Sequence, residues 1–171
     1  MITKVKKICI LGAEGVGKTS LVKRYIDNQF SKSYKTTIGV QISDKKVILS
    51  PEESVQLILW DIEGLNYKNE YPLNYLLGAS AYIFVGDSSR EESLSALIDL
   101  DIKTSKQITI TVPRYYALNK IDLVGEKEAK KQLSRLKINF SKINENHFFL
   151  SSAKENLNVQ NLFETIAKDL F

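Results

Sequence analysis

Short apolar runs alternate with segments of helical period along this chain, a pattern that predicts an α/β sheet with crossover helices. Lys6 to Leu11 and Ala81 to Gly86 (AYIFVG) are apolar runs of strand length. Arg114 to Leu118 (RYYAL) and His147 to Leu150 (HFFL) read as strands too. Gly39 to Leu49 and Ser54 to Trp60 are separated by SPEES, a Pro-containing turn, and so predict one antiparallel pair in a mostly parallel sheet. Helices are expected over Lys18 to Asn28, Glu91 to Ile102 and Lys127 to Leu136. The last helix is the clearest: Val159, Leu162, Phe163, Ile166, Ala167 and Leu170 recur at helical spacing and form one apolar stripe. Tyr67, Tyr71 and Tyr75, spaced by four, suggest a further short helix whose aromatic face either meets a partner or packs into the core. The sum is about six strands and five helices.

Composition adds limits. The 171 residues are enough for a single domain over 1–171 with a full core. At 43% hydrophobic and 26% charged, the chain has the balance of a globular protein. Its net charge of +4 comes from scattered Lys and Arg, which implies a solvated surface and no nucleic-acid partner. Cys9 is the sole cysteine and lies inside ICIL, so it reads as a buried thiol. No apolar run reaches membrane-spanning length. The absence of a C-terminal cysteine leads us to expect no lipid anchor in this chain and a cytoplasmic default, with membrane recruitment through a partner or a missing tail.

The strongest chemical signal is GAEGVGKT, which matches G-x-x-x-x-G-K-[ST] between a strand and a helix. Its backbone N–H groups, from Gly12 through Glu14, Gly15, Val16 and Gly17 to Ser20, would wrap phosphates at a helix N-terminus. Lys18 would reach the β- and γ-phosphates, and the Thr19 hydroxyl would take Mg²⁺. Downstream, LNKIDL places Asn119, Lys120 and Asp122 after the strand RYYAL. A carboxylate accepts two hydrogen bonds side by side, and guanine offers two adjacent donors where adenine does not, so Asp122 suits guanine. Lys120 can lie along the base plane and Asn119 can tie the loop together. In SSAK, Ser152, Ala153 and Lys154 follow the strand HFFL, and the Ala153 N–H could meet the guanine oxygen.

These motifs together resemble the Ras superfamily of small GTPases, with a pattern nearest the Rab branch. RYIDNQFSKSYKTTIGV (Arg24 to Val40) is similar to the first switch of Rab-type proteins, LILWDIEG to the D-x-x-G segment, and NYLLGASAYIFVGD to the strand after the second switch. The resemblance implies that Phe30 covers the guanine face, that Tyr34 lies at the nucleotide, and that Thr37 closes on Mg²⁺ and the γ-phosphate. It implies that Asp61 holds Mg²⁺ through water and that Gly64 donates its N–H to the γ-phosphate. GTP or GDP with Mg²⁺ would be the ligands. Exchange factors, activating proteins and effectors would read loops 30–39 and 61–75 of a monomer. Even without the family, two loops that both touch a γ-phosphate will order when it is present and relax when it leaves.

Three positions depart from the family pattern. Leu65 stands where a glutamine orients the attacking water and is inert in that role. Loss of a comparable positioned group in other enzymes costs roughly 10²–10³ in rate, so hydrolysis should be slow. Glu63 stands where the family carries alanine or glycine, and Glu14 where it has a small residue. Two unit charges about 5 Å apart repel by roughly 3 kcal/mol at an effective dielectric of 20. Both carboxylates must therefore turn away from a γ-phosphate, take a proton, or meet a cation or water. One use of Glu63 would be to position water in place of the glutamine. Two rival readings stand beside a slow GTPase: a pseudo-GTPase module that keeps nucleotide as a structural ligand, and an ATP-using P-loop enzyme, against which Asp122 argues.

Overall fold

The computed structural model describes residues 2–31, 36–64, 70–108, 110–140 and 143–171. Among the described residues there are six strands: β1 (Ile2–Leu11), β2 (Val40–Ser50), β3 (Glu53–Ile62), β4 (Ala81–Asp87), β5 (Arg114–Asn119) and β6 (Phe148–Leu150). Five helices join them: α1 (Lys18–Asp27), α2 (Leu73–Leu76), α3 (Glu91–Gln107), α4 (Glu126–Asn139) and α5 (Val159–Asp169). The strands form one sheet in the order β2-β3-β1-β4-β5-β6. The β2–β3 pair is antiparallel and every other pair is parallel. This is the α/β architecture expected from the alternation of elements, with the P-loop motif GAEGVGKT running from the end of β1 into α1.

Alternation along β1 divides the core into two layers. Ile8 and Ile10 pack with Leu21 and Tyr25 of α1 and with the stripe of α5. Cys9 and Leu11 face the other way, toward Leu94 and Leu97 of α3 and Leu136 of α4. The α5 stripe is buried at Val159, Leu162, Phe163, Ile166 and Ala167, and Phe163 stacks on Tyr25 with ring centroids 4.1 Å apart. Burial raises the Cys9 thiol to about 12, so it is an inert core group.

Several boundaries differ from the apolar pattern. β1 starts at Ile2 rather than Lys6, because its exposed first residues are held by pairing with Glu53 to Gln56 and not by burial. β3 continues through Asp61 to Ile62. α3 runs past Ile102 to Gln107, where Thr104 is buried in a polar stretch. His147 belongs to a 3₁₀ turn (Glu145–His147), so β6 begins at Phe148.

The four-residue spacing of tyrosines does not mark one helix. Pro72 caps α2, and a proline disfavours helical backbone in the residue before it, which leaves Tyr71 outside the helix. Tyr71 is buried and Tyr75 lies within α2. Tyr67 falls outside the described residues.

Candidate functional site

β1, β3, β4 and β5 end at Leu11, Ile62, Asp87 and Asn119, and the loops that follow them meet at one edge of the sheet. The strand order reverses around β1, the place where open α/β sheets bind ligands. A cleft of about 420 Å³ lies there. It is lined by Gly15, Gly17, Lys18, Thr19 and Ser20 of the phosphate loop. Asn119, Lys120, Asp122, Ala153 and Lys154 line it from the far side, and Phe30, Thr37 and Gly64 complete the wall. Its size is that of a small-molecule site.

The phosphate loop is held from every side. Gly17 takes a left-handed φ of +100°, and a Cβ there would sit 2.3 Å from Asn119 Nδ2. Glycine is therefore required, and the Asn119 amide uses the space to donate to Val16 O at 3.0 Å. Asn119 Oδ1 accepts from Ala153 N at 3.1 Å, so this asparagine joins the β5 loop, the phosphate loop and the SSAK loop. The Ala153 N–H, expected at the guanine oxygen, is thus committed to Asn119 in this arrangement. Arg24 of α1 supports the same loop from behind, donating from Nε to Ala153 O at 2.8 Å and from Nη2 to Lys154 O at 3.1 Å.

Asp122 is aimed by its neighbours. Its Oδ1 accepts from Ser152 Oγ at 2.6 Å, and Lys154 Nζ lies 3.7 Å from its Oδ2. Ser152 therefore acts through Asp122 rather than on the cleft surface. Lys120 Nζ donates to Gly15 O at 2.6 Å and to Asp87 Oδ2 at 2.7 Å. Asp87 also receives Arg90 Nε at 3.0 Å, while Arg90 Nη2 donates to Glu14 O at 2.8 Å. Two cations fixed on one buried carboxylate thus grip successive carbonyls of the phosphate loop. Burial alone would raise Asp87, but hydrogen bonds from Lys120 and Ser89 outweigh it and hold the carboxyl below its usual range.

Thr19, Thr37 and Asp61 converge. Thr19 Oγ1 donates to Asp61 Oδ2 at 2.6 Å and lies 2.8 Å from Thr37 Oγ1. Asp61 is buried, and its Oδ1 has no hydrogen-bond partner among the described residues. An orphaned buried carboxylate oxygen beside two hydroxyls is an all-oxygen donor set, which fits a hard cation such as Mg²⁺. Burial raises the Asp61 carboxyl, with the Thr19 bond and the Lys18 charge opposing it. Lys18 Nζ donates to Gly12 O at 2.8 Å and Ala13 O at 3.0 Å, which places it at the loop's mouth. Burial lowers Lys18 to about 8 despite the nearby Asp61, Glu14 and Glu63 charges.

Gly64 presses against the phosphate loop: a Cβ there would meet Glu14 Cα at 2.5 Å and Glu14 N at 2.7 Å. Glu63, just before it, accepts from Gly39 N at 2.8 Å through Oε2, so its carboxylate engages the first switch loop. Tyr34 and Leu65 lie outside the described residues. Lys23, Gln29 and Leu123 also line the cleft but carry no motif that marks them in the sequence. Asp87 and Arg90 were missed as well. The signal for Asp87 was available: it closes β4 as Asp61 approaches the end of β3, a carboxylate at the ligand-binding edge of the sheet.

Comparison with known proteins agrees with this geometry. The sequence model of the Ras family matches residues 7–171. The chain is 35% identical over 168 residues to the Ypt/Rab-type GTPase ypt7 of Schizosaccharomyces pombe, spanning 95% of this chain and 80% of that protein. It is 33% identical over 169 residues to the Ypt/Rab-type GTPase Rab7 of Neurospora crassa, again spanning 95% of this chain and 80% of that protein. A match that begins inside β1 and runs to the last residue leaves no major element outside it: the chain belongs to the Ras family and is a Rab-like small GTPase.

Proposed function

We infer that this protein is a guanine-nucleotide switch that binds GTP or GDP with Mg²⁺ and hydrolyses GTP slowly. The observation that carries the switch is the approach of Thr37 to Thr19 and Asp61, with one Asp61 oxygen left over. Mg²⁺ would be held by Thr19 and Thr37, and by Asp61 through water, and it would neutralise charge developing on the phosphates. Lys18 and the phosphate-loop N–H groups bind and orient the phosphates, Asp122 selects the base, Lys120 lies along its plane, and Phe30 covers it. Gly64 would donate its N–H to the γ-phosphate, so the loops on either side of the cleft sense the same group.

Slow turnover follows from Leu65, whose side chain has no atom able to hold water. Loops 30–39 and 61–75 are the surface that effectors and regulators read, and Ile38, 86% exposed, stands in the first of them. With relatives of the Ypt/Rab type, the role proposed is a trafficking switch; the single domain, monomeric state, cytoplasmic location and recruitment to membranes by partners are part of the same proposal.

The test is nucleotide analysis of the purified protein followed by single-turnover hydrolysis with Mg²⁺, with and without Leu65→Gln. The expected result is bound, exchangeable guanine nucleotide and a rate that rises on substitution. Permanently bound, non-exchanging nucleotide would support the pseudo-GTPase reading instead. A wild-type rate equal to that of glutamine-bearing relatives would sink slow hydrolysis.

A further inference from the structure

Glu63 makes two bonds to a single residue of the first switch loop. Its backbone N donates to Gly39 O at 2.8 Å, and its Oε2 accepts from Gly39 N at 2.8 Å. The pair lies next to Val40↔Ile62, the last paired position of the β2–β3 ladder. A hydrogen-bonded antiparallel pair normally exchanges two backbone bonds. Here the carboxylate takes the place of the Glu63 carbonyl. The first switch loop keeps both bonds of a ladder pair, while the β3 backbone is free to leave the sheet. It does so at once, since the next residue, Gly64, lies against the Glu14 backbone.

We propose that Glu63 is a positioning residue that ties down residues 37–39 of the first switch loop, holding Thr37 at the metal-facing oxygens independently of a γ-phosphate. The proposal rests on the switch reading above. Thr37 is two residues before Gly39, and its hydroxyl is already 2.8 Å from Thr19. Ile38 between them is 86% exposed, so its side chain contributes little to holding the segment. Gly39 has a φ of +71°, a turn that sends the chain from the ladder toward the cleft. Anchoring its N–H and its carbonyl together fixes both sides of that turn. The bond to an ionised acceptor is of the stronger kind, and it also turns the Glu63 charge onto a backbone donor. The tie biases the closed state, so GTP, which needs the loop closed, loses less affinity to closing it than in a chain without the tie, while GDP, which needs no closure, is little affected.

The decisive experiment compares wild type with Glu63→Ala and Glu63→Gln by amide exchange at Gly39 and by affinity for GDP and a non-hydrolysable GTP analogue. In wild type the Gly39 amide should be protected with either nucleotide. Glu63→Ala should lose that protection in the GDP form and weaken the GTP analogue about tenfold relative to GDP, the loss expected for one charge-assisted bond. Glu63→Gln retains an acceptor oxygen and should restore both readouts. Equal protection of Gly39 in Glu63→Ala, or an unchanged affinity ratio, overturns the tie. Sharply slowed turnover in Glu63→Gln with Gly39 still protected assigns Glu63 to the chemistry instead and also overturns it. Should Glu63→Ala not fold, Gly39 protection and the affinity ratio in Glu63→Gln still decide, since loss of both there removes the side-chain acceptor from the argument. If wild type binds no guanine nucleotide, the switch reading fails, while Gly39 exchange in the free protein still reports on the tie.

Discussion

The hydroxyl of Tyr71 accepts from Gly12 N at 2.9 Å and donates to Gly12 O at 3.0 Å, bonding both backbone groups of one phosphate-loop residue. A side chain that arrives from the segment before α2 thus satisfies buried backbone at the point where β1 becomes the phosphate loop. Tyr71→Phe keeps the ring and removes only the oxygen. It leaves a buried N–H without this partner, so it should cost about 1–3 kcal/mol of stability. Urea denaturation of the nucleotide-bound protein measures this, and a midpoint equal to wild type would show the hydroxyl to be dispensable.

Lys18 should make nucleotide binding proton-linked. Its folded value of about 8 lies below the ordinary 10.5, so the unfolded chain holds more protons across that window. Stability of the nucleotide-free protein should therefore rise with pH between about 8 and 10.5 from this group. Phosphate oxygens beside the ammonium favour its charged form. Binding GDP at pH 8 should then take up about half a proton, seen as a calorimetric heat that varies with the buffer's ionisation enthalpy. A buffer-independent heat at that pH would contradict it.

If Asp122 reads the base as proposed, selection should depend on the residue behind it. Ser152 Oγ holds Asp122 Oδ1 at 2.6 Å. Ser152→Ala should let Asp122 rotate and weaken GDP about tenfold, the equivalent of about 1.4 kcal/mol for one bond to a charged group. Weak ATP competition should be unchanged. An equal loss for both nucleotides would mean that the whole loop, rather than the carboxylate, had moved.

Asp87 is the anchor of the cationic bracket. Its folded value is depressed, so its stabilising contribution is present above the ordinary carboxylate value of 3.8 and is lost as pH falls through the folded value. Asp87→Asn leaves Lys120 and Arg90 without their shared anion, with an expected cost of about 2–3 kcal/mol. It should also flatten the acid limb of the stability profile, which thermal melts from pH 6 downward would reveal. A steep limb retained in the variant would point to other carboxylates.

Much of the fold could be read before the structure, because the relevant signals are local. GAEGVGKT needs only the order of glycines, lysine and threonine between a strand and a helix. The α5 stripe needs only a period. The misread positions are those where a distant partner decides. Tyr71 looked like one of three helical aromatics, and its role came from Gly12 across the fold. Exposed Ile2 to Val5 joined β1 because Glu53 to Gln56 offered free backbone groups. Arg90 carried no motif, and it matters because β4 delivers it to the carbonyl of Glu14.

The chain by itself determined which chemistry is available: phosphate-wrapping backbone, a lysine, a hydroxyl and a guanine-suited carboxylate, in the order of a Ras-family protein, with leucine where a water-holding amide is usual. Those are properties of residue types and short spacings. Tertiary structure decided how the charges are directed. Electrostatic repulsion left Glu63 several ways out, and only the end of the β2–β3 ladder, where Gly39 presents an N–H at 2.8 Å, selects one of them. A hydrogen bond requires a donor placed to a few tenths of an ångström, and that placement comes from segments far apart along the chain.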